Sequence, residues 1–377
     1  MTLRLLEPEL AAPSDELVSQ AAVMAARGAE LAERERRLGD EAVTALTRAG
    51  FPAHFVPRRW GGREGGFASL LTAVAEVGEG CASAAWCAGL WAAHSRFGAF
   101  LPERGQRDLW ESSPGVRIAT GLAPHAARAV RSDPGDWSLS GQWECVSGID
   151  SAHWVLLAAA VPEDEGEGAV RVFAVPRADV EVVDSWHSTG LRGTGSNTVV
   201  LGPTSVPHHR SFALAGLLAG RPGDDGPRCH SVPAQLVGGL IFCAPAVGAA
   251  RAALRAWSHW AAPKAATAAP GSELHRTLAR SSAEIDAAGL MLAEAARRAD
   301  EEPVTRLGVA RNQRDAAVVI DLLVTAVERL FRTGGLHARD GGGTVERCWR
   351  DVHTVSAHAV LQFEGAATQY AAAALAR

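Results

Sequence analysis

One hydroxyl and two imidazoles are the side chains of this sequence best suited to chemistry. Ser147 ends the alternating segment Gly141-Gln142-Trp143-Glu144-Cys145-Val146 and is followed by Gly148. Glycine lets the backbone approach a flat ligand closely, and the small hydroxyl can bond the ligand's edge. A strand-end serine that satisfies a turn is the alternative. His358 closes the string Cys348-Trp349-Arg350-Asp351-Val352-His353-Thr354-Val355-Ser356-Ala357-His358, which reads as helix. A neutral imidazole can take a proton from a weakly acidic substrate or donate a hydrogen bond. The alternative is a buried helix histidine bonded to backbone. His353 precedes it by five residues, about 140° around a helix, so the two cannot be i,i+4 metal ligands. His94 lies among Trp91, Phe97 and Phe100 on an otherwise apolar helix. That position suits a pocket wall and a satisfied core residue equally.

A second polar cluster is Ser185-Trp186-His187-Ser188-Thr189-Gly190-Leu191-Arg192-Gly193-Thr194-Gly195-Ser196-Asn197. Its three glycines make a loop whose backbone can approach a ligand. Arg192, Thr194 and Ser196 offer donors suited to a phosphate or another polar ligand edge. It does not match the dinucleotide-binding glycine fingerprint after a parallel strand. A hairpin loop with helpful glycines is the plainer reading. The six cysteines are scattered and show no ligand spacing, so neither zinc nor a disulfide framework is indicated.

Three blocks must position these residues. The first, residues 1–115, reads as helical: one helix from Ser14 to about Arg37, one from Asp40 to Gly50, a long apolar region from Phe67 to Phe100, and one more after Pro102. The second, 116–222, reads as six short strands without intervening helices, hence an antiparallel barrel or sandwich. Turns are expected at Asp133–Asp136 and Glu163–Gly168, and a hinge at Arg221–Cys229. The third, 223–377, reads as four long helices, Gln235–His259, Ser272–Ala299, Thr305–Phe331 and Arg347–Ala376, packed as a bundle. The fold class is α+β. A net charge of −5 gives no electrostatic case for nucleic acid or an anionic membrane. No uninterrupted apolar run reaches the roughly 20 residues of a membrane span. The first residues carry acids and proline where a signal peptide would be apolar, so a cytoplasmic location is expected.

This order of blocks, together with several motifs, resembles the acyl-CoA dehydrogenase superfamily over nearly the whole chain. The strand through Ser147-Gly148 to Trp154 is similar to the flavin-contacting strand of its flavin-dependent monooxygenases. Gly190-Leu191-Arg192-Gly193-Thr194-Gly195-Ser196 resembles a segment shared across the superfamily. Arg350-Asp351, followed seven residues after the Asp by His358, resembles the monooxygenase branch. Trp60-Gly61-Gly62 resembles the N-terminal turn, and Arg332-Thr333-Gly334-Gly335 the loop that meets a neighbouring subunit's cofactor. The last two glycines could equally end a helix.

The resemblance implies a two-component monooxygenase. A separate reductase would supply reduced FMN or FAD, O2 would be the cosubstrate, and a C4a-hydroperoxide would oxidise a small aromatic or polyketide-like molecule; amino-sugar N-oxidation is also known among relatives. It implies that Ser147 sits near flavin N5, with Gly148, Arg192, Thr194, Ser196, Gly334 and Gly335 at the cofactor. His358 would be base or peroxide stabiliser, and His94 its assistant. Trp60, Trp91 and Phe97 would wall the substrate pocket. A homodimer or homotetramer through the C-terminal helices is implied as well. Two other readings remain at this point. An acyl-CoA dehydrogenase or oxidase needs a carboxylate base, for which only Glu79 and Glu364 offer themselves. A non-catalytic family member would act as a binding or assembly subunit.

Overall fold

The structure, a computed structural model, describes residues 15–123, 127–132, 135–162, 170–221, 226–336, 338 and 343–376. The turn expected at Glu163–Gly168 lies outside these residues, as do 133–134 of the first turn and 222–225 of the hinge.

The N-terminal block is helical, with more breaks than its apolar spacing predicts. α1 (Asp15–Arg27) and α2 (Ala29–Glu35) replace one helix to Arg37; Gly28 marks the break and Arg36, at φ 57°, ends α2. α3 (Asp40–Arg48) opens with two acids at the positive end of its dipole. After a 3-10 turn at Arg58–Trp60 come α4 (Phe67–Gly80) and α5 (Ala82–Gly98), separated by Cys81 in an extended conformation. α5 is buried around almost its whole circumference, which is why its sequence shows no polar face. α6 (Glu103–Trp110) follows Pro102.

The central block is one sheet built from β1 (Ile118–Gly121), β2 (Arg128–Ser132), β3 (Asp136–Val146), β4 (Trp154–Ala160), β5 (Val170–Pro176), β6 (Glu181–Val183), β7 (Asn197–Val206) and β8 (Ser211–Ala213). The order is β6-β7-β3-β2-β4-β5-β8, with β1 also on β4. The expected all-antiparallel sheet is corrected: β1 runs parallel to β4, Ile118 opposite Trp154, and β2 meets β4 in parallel at Arg128 opposite Ala160. β4 is apolar at consecutive positions because both its faces are covered. Val155, Leu157 and Ala159 join Trp137, Trp143 and Phe173 on one face. Leu156 and Ala158 join Phe100, Leu109 and Trp110 on the other.

The C-terminal block contains α7 (Leu214–Ala219), α8 (Arg228–Ser231), α9 (Ala234–Ala265), α10 (Glu273–Glu301), α11 (Arg306–Thr333), α12 (Thr344–Ser356) and α13 (Phe363–Ala374). α9 packs against α4, α10, α11 and α12, so the first and third blocks share one hydrophobic core. Gly78 of α4 and Gly248 of α9 let the two backbones touch; a Cβ at Gly78 would come within 2.8 Å of the Pro245 carbonyl oxygen. Among the described residues α9 alone has the length and apolarity of a membrane span, which the reading of uninterrupted runs missed. Of its apolar window 78% is buried inside the protein, as in a core helix.

The helix expected over Arg347–Ala376 is broken. α12 stops at Ser356, a 3-10 turn spans Ala359–Leu361, and α13 starts anew. Gln362 Nε2 donates to the Ser356 and His358 carbonyls and so satisfies the end of α12. His353 and His358 therefore do not share a continuous helix, and the expected angle of about 140° between them does not apply.

Candidate functional site

Ser147 is aimed by a distortion of β3. The pairing with β7 shifts between Trp143 and Val146, where Cys145 takes φ 56°, and Val146 then pairs with Asn197. The strand ends in a turn at Ser147-Gly148, with Gly148 at φ 69°. A Cβ on Gly148 would lie 3.1 Å from Trp91 Nε1, so the turn sits close upon that indole. The Gly148 N–H donates to the Thr194 carbonyl at 2.8 Å and ties β3 to the glycine-containing loop.

From Ser147 a line of polar contacts runs into that loop. Ser147 Oγ is 2.7 Å from Ser196 Oγ, which is 2.7 Å from Thr194 Oγ1. Thr194 Oγ1 donates to the Leu191 carbonyl at 2.8 Å. At the other end, Trp86 Nε1 of α5 donates to Ser147 Oγ at 3.1 Å. Ser196 and Thr194 are buried, while Ser147 is half-buried.

Trp86 also leads to His358. The imidazole stacks on Phe242 of α9, with centroids 3.9 Å apart and planes at 28°, and lies 6.0 Å from the Trp86 ring. Trp86 and Phe242 are themselves 4.9 Å apart. Burial lowers the His358 pKa and favours the neutral ring. Its Nδ1 accepts the Val360 N–H at 3.4 Å, a long contact that leaves the ring proton on Nε2. Ser147 and His358 thus meet on either side of one tryptophan, with Phe242 half-buried beside them.

The Arg350-Asp351 pair holds this arrangement from below. Asp351 is buried, and its Oδ1 accepts the Leu191 N–H at 2.6 Å. Burial pushes its carboxyl up to about 6, with the Leu191 bond opposing. Arg350 donates to the Thr189 carbonyl and to Glu33 Oε1 at 2.6 Å. The helix that ends just before His358 therefore also clamps the loop that carries Thr194 and Ser196.

The glycines of that loop admit close packing by neighbouring parts of the chain. A Cβ at Gly190 would overlap the Arg350 carbonyl, and one at Gly193 would come within 2.8 Å of Ala32 Cβ. One at Gly195 would overlap the Asp150 carboxylate. Arg192 is likewise committed: its guanidinium bonds the Glu33 and Ser188 carbonyls and pairs with the Glu33 carboxylate at 3.5 Å. The loop presents hydroxyls, not a phosphate cradle.

Other expected residues stand apart from the Ser147–Trp86–His358 group. His94 is buried with both nitrogens engaged, Nδ1 on the Ile118 carbonyl at 2.8 Å and Nε2 on Thr120 Oγ1 at 3.0 Å. Burial pushes its pKa down to about 4, so it is neutral. Trp60 donates to Gln106 Oε1 at 3.1 Å and packs with Phe97 near α6. Trp91 is buried behind Gly148. Gly334 and Gly335 end α11, and among the described residues none beyond its chain neighbours lies within 4 Å of a Cβ built on Gly335, at φ 58°. Glu79 is bound by Arg255 at 2.5 Å and Arg251 at 3.6 Å, and Glu364 is exposed at the start of α13. Among the described residues no His, Cys, Asp and Glu cluster could hold a metal ion. Trp86 and Phe242 were not foreseen; both lie on helices buried on most sides, where apolar periodicity singles out no ring.

Comparison with known proteins adds the following. The family model "Acyl-CoA dehydrogenase, C-terminal domain" matches residues 240–363. The chain is 30% identical to the flavin-dependent monooxygenase oxygenase subunit HsaA of Rhodococcus jostii, over 91% of this chain and 93% of that one. It is 29% identical to the oxygenase component of the FADH(2)-dependent resorcinol hydroxylase of a Rhizobium species, over 89% and 87% of the two chains. The solved structure of XiaF from Streptomyces, in complex with FADH2 and glycerol, superposes with a TM-score of 0.87 at 25% identity, over 95% of this chain and 93% of that one.

Proposed function

The chain belongs to the acyl-CoA dehydrogenase superfamily, in its branch of flavin-dependent monooxygenase oxygenase subunits, and from that premise we propose that it hydroxylates a small aromatic substrate with O2 and a reduced flavin made by a separate reductase. The observation that carries the reading is the meeting of Ser147 and His358 at Trp86, with the two candidate carboxylate bases, Glu79 and Glu364, held elsewhere. An acyl-CoA dehydrogenase needs such a base. The flavin is reduced FAD or FMN: among solved structures with this fold, XiaF is named with FADH2 and TdsC with FMN.

The residues present fit a flat, partly apolar ring system. A half-buried hydroxyl stands at a tight glycine turn, bordered by Trp86 and by the Phe242–His358 stack. When bound, reduced flavin supplies the electron pair that leaves one oxygen atom for the substrate and one for water. Ser147 would hold the edge of that ring. The Trp86 and Phe242 faces would keep water from it. His358, with its proton on Nε2, would approach the substrate or oxygen as a hydrogen-bond donor, which favours the stabilising role over that of a base. His94, with both nitrogens bonded to Ile118 and Thr120, takes no part in this step. Assembly into a dimer or tetramer is supported by exposed Leu278 and Leu290 on α10 and by Leu336 beside Gly335. Such a contact would carry Gly334 and Gly335 to a neighbouring subunit's cofactor.

The test uses the purified chain and chemically reduced FAD or FMN, mixed with oxygenated buffer and a panel of phenols without any reductase. The expected result is a hydroxylated product formed in proportion to the reduced flavin supplied. If reduced flavin does not bind the folded protein, the reading is wrong.

A further inference from the structure

Four hydrogen bonds in line join Trp86, Ser147, Ser196, Thr194 and Leu191, and a single arrangement of protons satisfies them all. A carbonyl can only accept, so the contact from Thr194 Oγ1 to the Leu191 oxygen uses the Thr194 proton. The Thr194–Ser196 contact must then use the Ser196 proton, and the Ser196–Ser147 contact the Ser147 proton. Trp86 has only its N–H to give, and gives it to Ser147. Every hydroxyl proton in the line therefore points away from Ser147 towards Leu191. The root of the line is fixed. The Leu191 oxygen also accepts from Trp186 Nε1 at 3.0 Å and from the Thr194 N–H at 3.1 Å, while the Leu191 N–H is held by Asp351.

The Ser147 oxygen is left with one open lone pair and no proton to offer. We propose that Thr194 and Ser196 act as positioning residues which make Ser147 an obligate acceptor, and that this selects the reduced flavin over the oxidised one. The inference rests on the flavin reading above. N5 of a reduced flavin carries a hydrogen and can donate to Ser147; N5 of the oxidised ring is itself an acceptor and meets a lone pair. For Ser147 to turn and donate, the whole line must reverse and the bond from Thr194 to Leu191 is lost. One such bond corresponds to about three- to tenfold in affinity.

Removing a member of the line should free the Ser147 proton. The experiment is anaerobic equilibrium titration of the full chain with oxidised and with dithionite-reduced FAD and FMN, without turnover. The wild type should bind the reduced form more tightly. In Ser196→Ala and in Thr194→Val the ratio of oxidised to reduced Kd should fall about three- to tenfold, chiefly through tighter binding of the oxidised form. Thr194→Ser, which restores the hydroxyl, should return the wild-type ratio. The two disrupting variants break the line at different points, so loss of folding in one leaves the other decisive. An unchanged ratio in a folded variant, or equal binding of both forms by the wild type, overturns the relay while leaving the flavin reading intact. Binding of neither form by the wild type would remove the flavin reading itself, and the inference with it.

Discussion

Asp351→Asn separates the two things that Asp351 does: it accepts the Leu191 N–H and it buries a titratable group. The asparagine keeps an oxygen for Leu191 at the 2.6 Å site and carries no charge. In the wild type, burial raises the carboxyl from 3.8 to about 6. The sign follows from linkage: a group that holds its proton more tightly when folded contributes stability below its unfolded pKa and loses it as pH rises through the folded one. Across the whole window the loss is about 3 kcal/mol, from roughly two pKa units at 1.36 kcal/mol each. Between about pH 5 and about pH 7.5 it is roughly 1.4 kcal/mol, because the group is already partly ionised in the unfolded chain at the lower value. Urea unfolding followed by tryptophan fluorescence and far-UV circular dichroism, at both pH values, measures the difference. The variant should gain on the wild type by about this amount as pH rises. Parallel pH slopes for the two proteins would refute the reasoning, since Asp351 would then be ionised in both states throughout.

Three further outcomes are expected. Ser147→Ala removes one half-buried hydroxyl and should leave the melting temperature within about 2 °C, while a larger share of the oxygen consumed appears as H2O2; unchanged coupling would make Ser147 merely structural. His358→Ala should lower product formation at least about tenfold, the low end of acid–base effects, and His358→Gln, which keeps a donor near Nε2, should recover part of it. Recovery by addition of imidazole but not by Gln would instead mark a base. Gly190→Ala drives a methyl group into the Arg350 carbonyl and should cost about 1–3 kcal/mol of stability. It should also weaken reduced-flavin binding without touching the ligand, and wild-type affinity would show that the clamp on the loop is dispensable.

The long helices and β3, β4, β5 and β7 were legible in the sequence because each carries an extended run whose burial pattern is periodic or continuous. β2 and β8 were not: β2 buries only Ala129, and β8 has three residues. The parallel contact of β1 with β4 was hidden because short strands carry no mark of direction. Nothing in Ala357–Gln362 announces the break before α13, since the segment has neither proline nor glycine. Ser147 and His358 were joined by resemblance to a family, and no periodicity links residues so far apart. Glycines 190, 193 and 195 show the limit most plainly. Their presence signals close approach, but only the fold reveals that Arg350, Ala32 and Asp150 are what approaches.

The contact of Gly78 with Gly248 has a consequence for biosynthesis. α4 meets α9 backbone to backbone and also packs on α10, and α5 packs against α9 as well, so these early helices complete their core on later ones. A nascent chain released from the ribosome's tunnel only as far as the sheet would present a greasy, unsatisfied helical surface to the cell. Such a half-made molecule is a natural client for chaperones, and a gene fragment ending before α9 should yield inclusion bodies rather than a usable N-terminal piece.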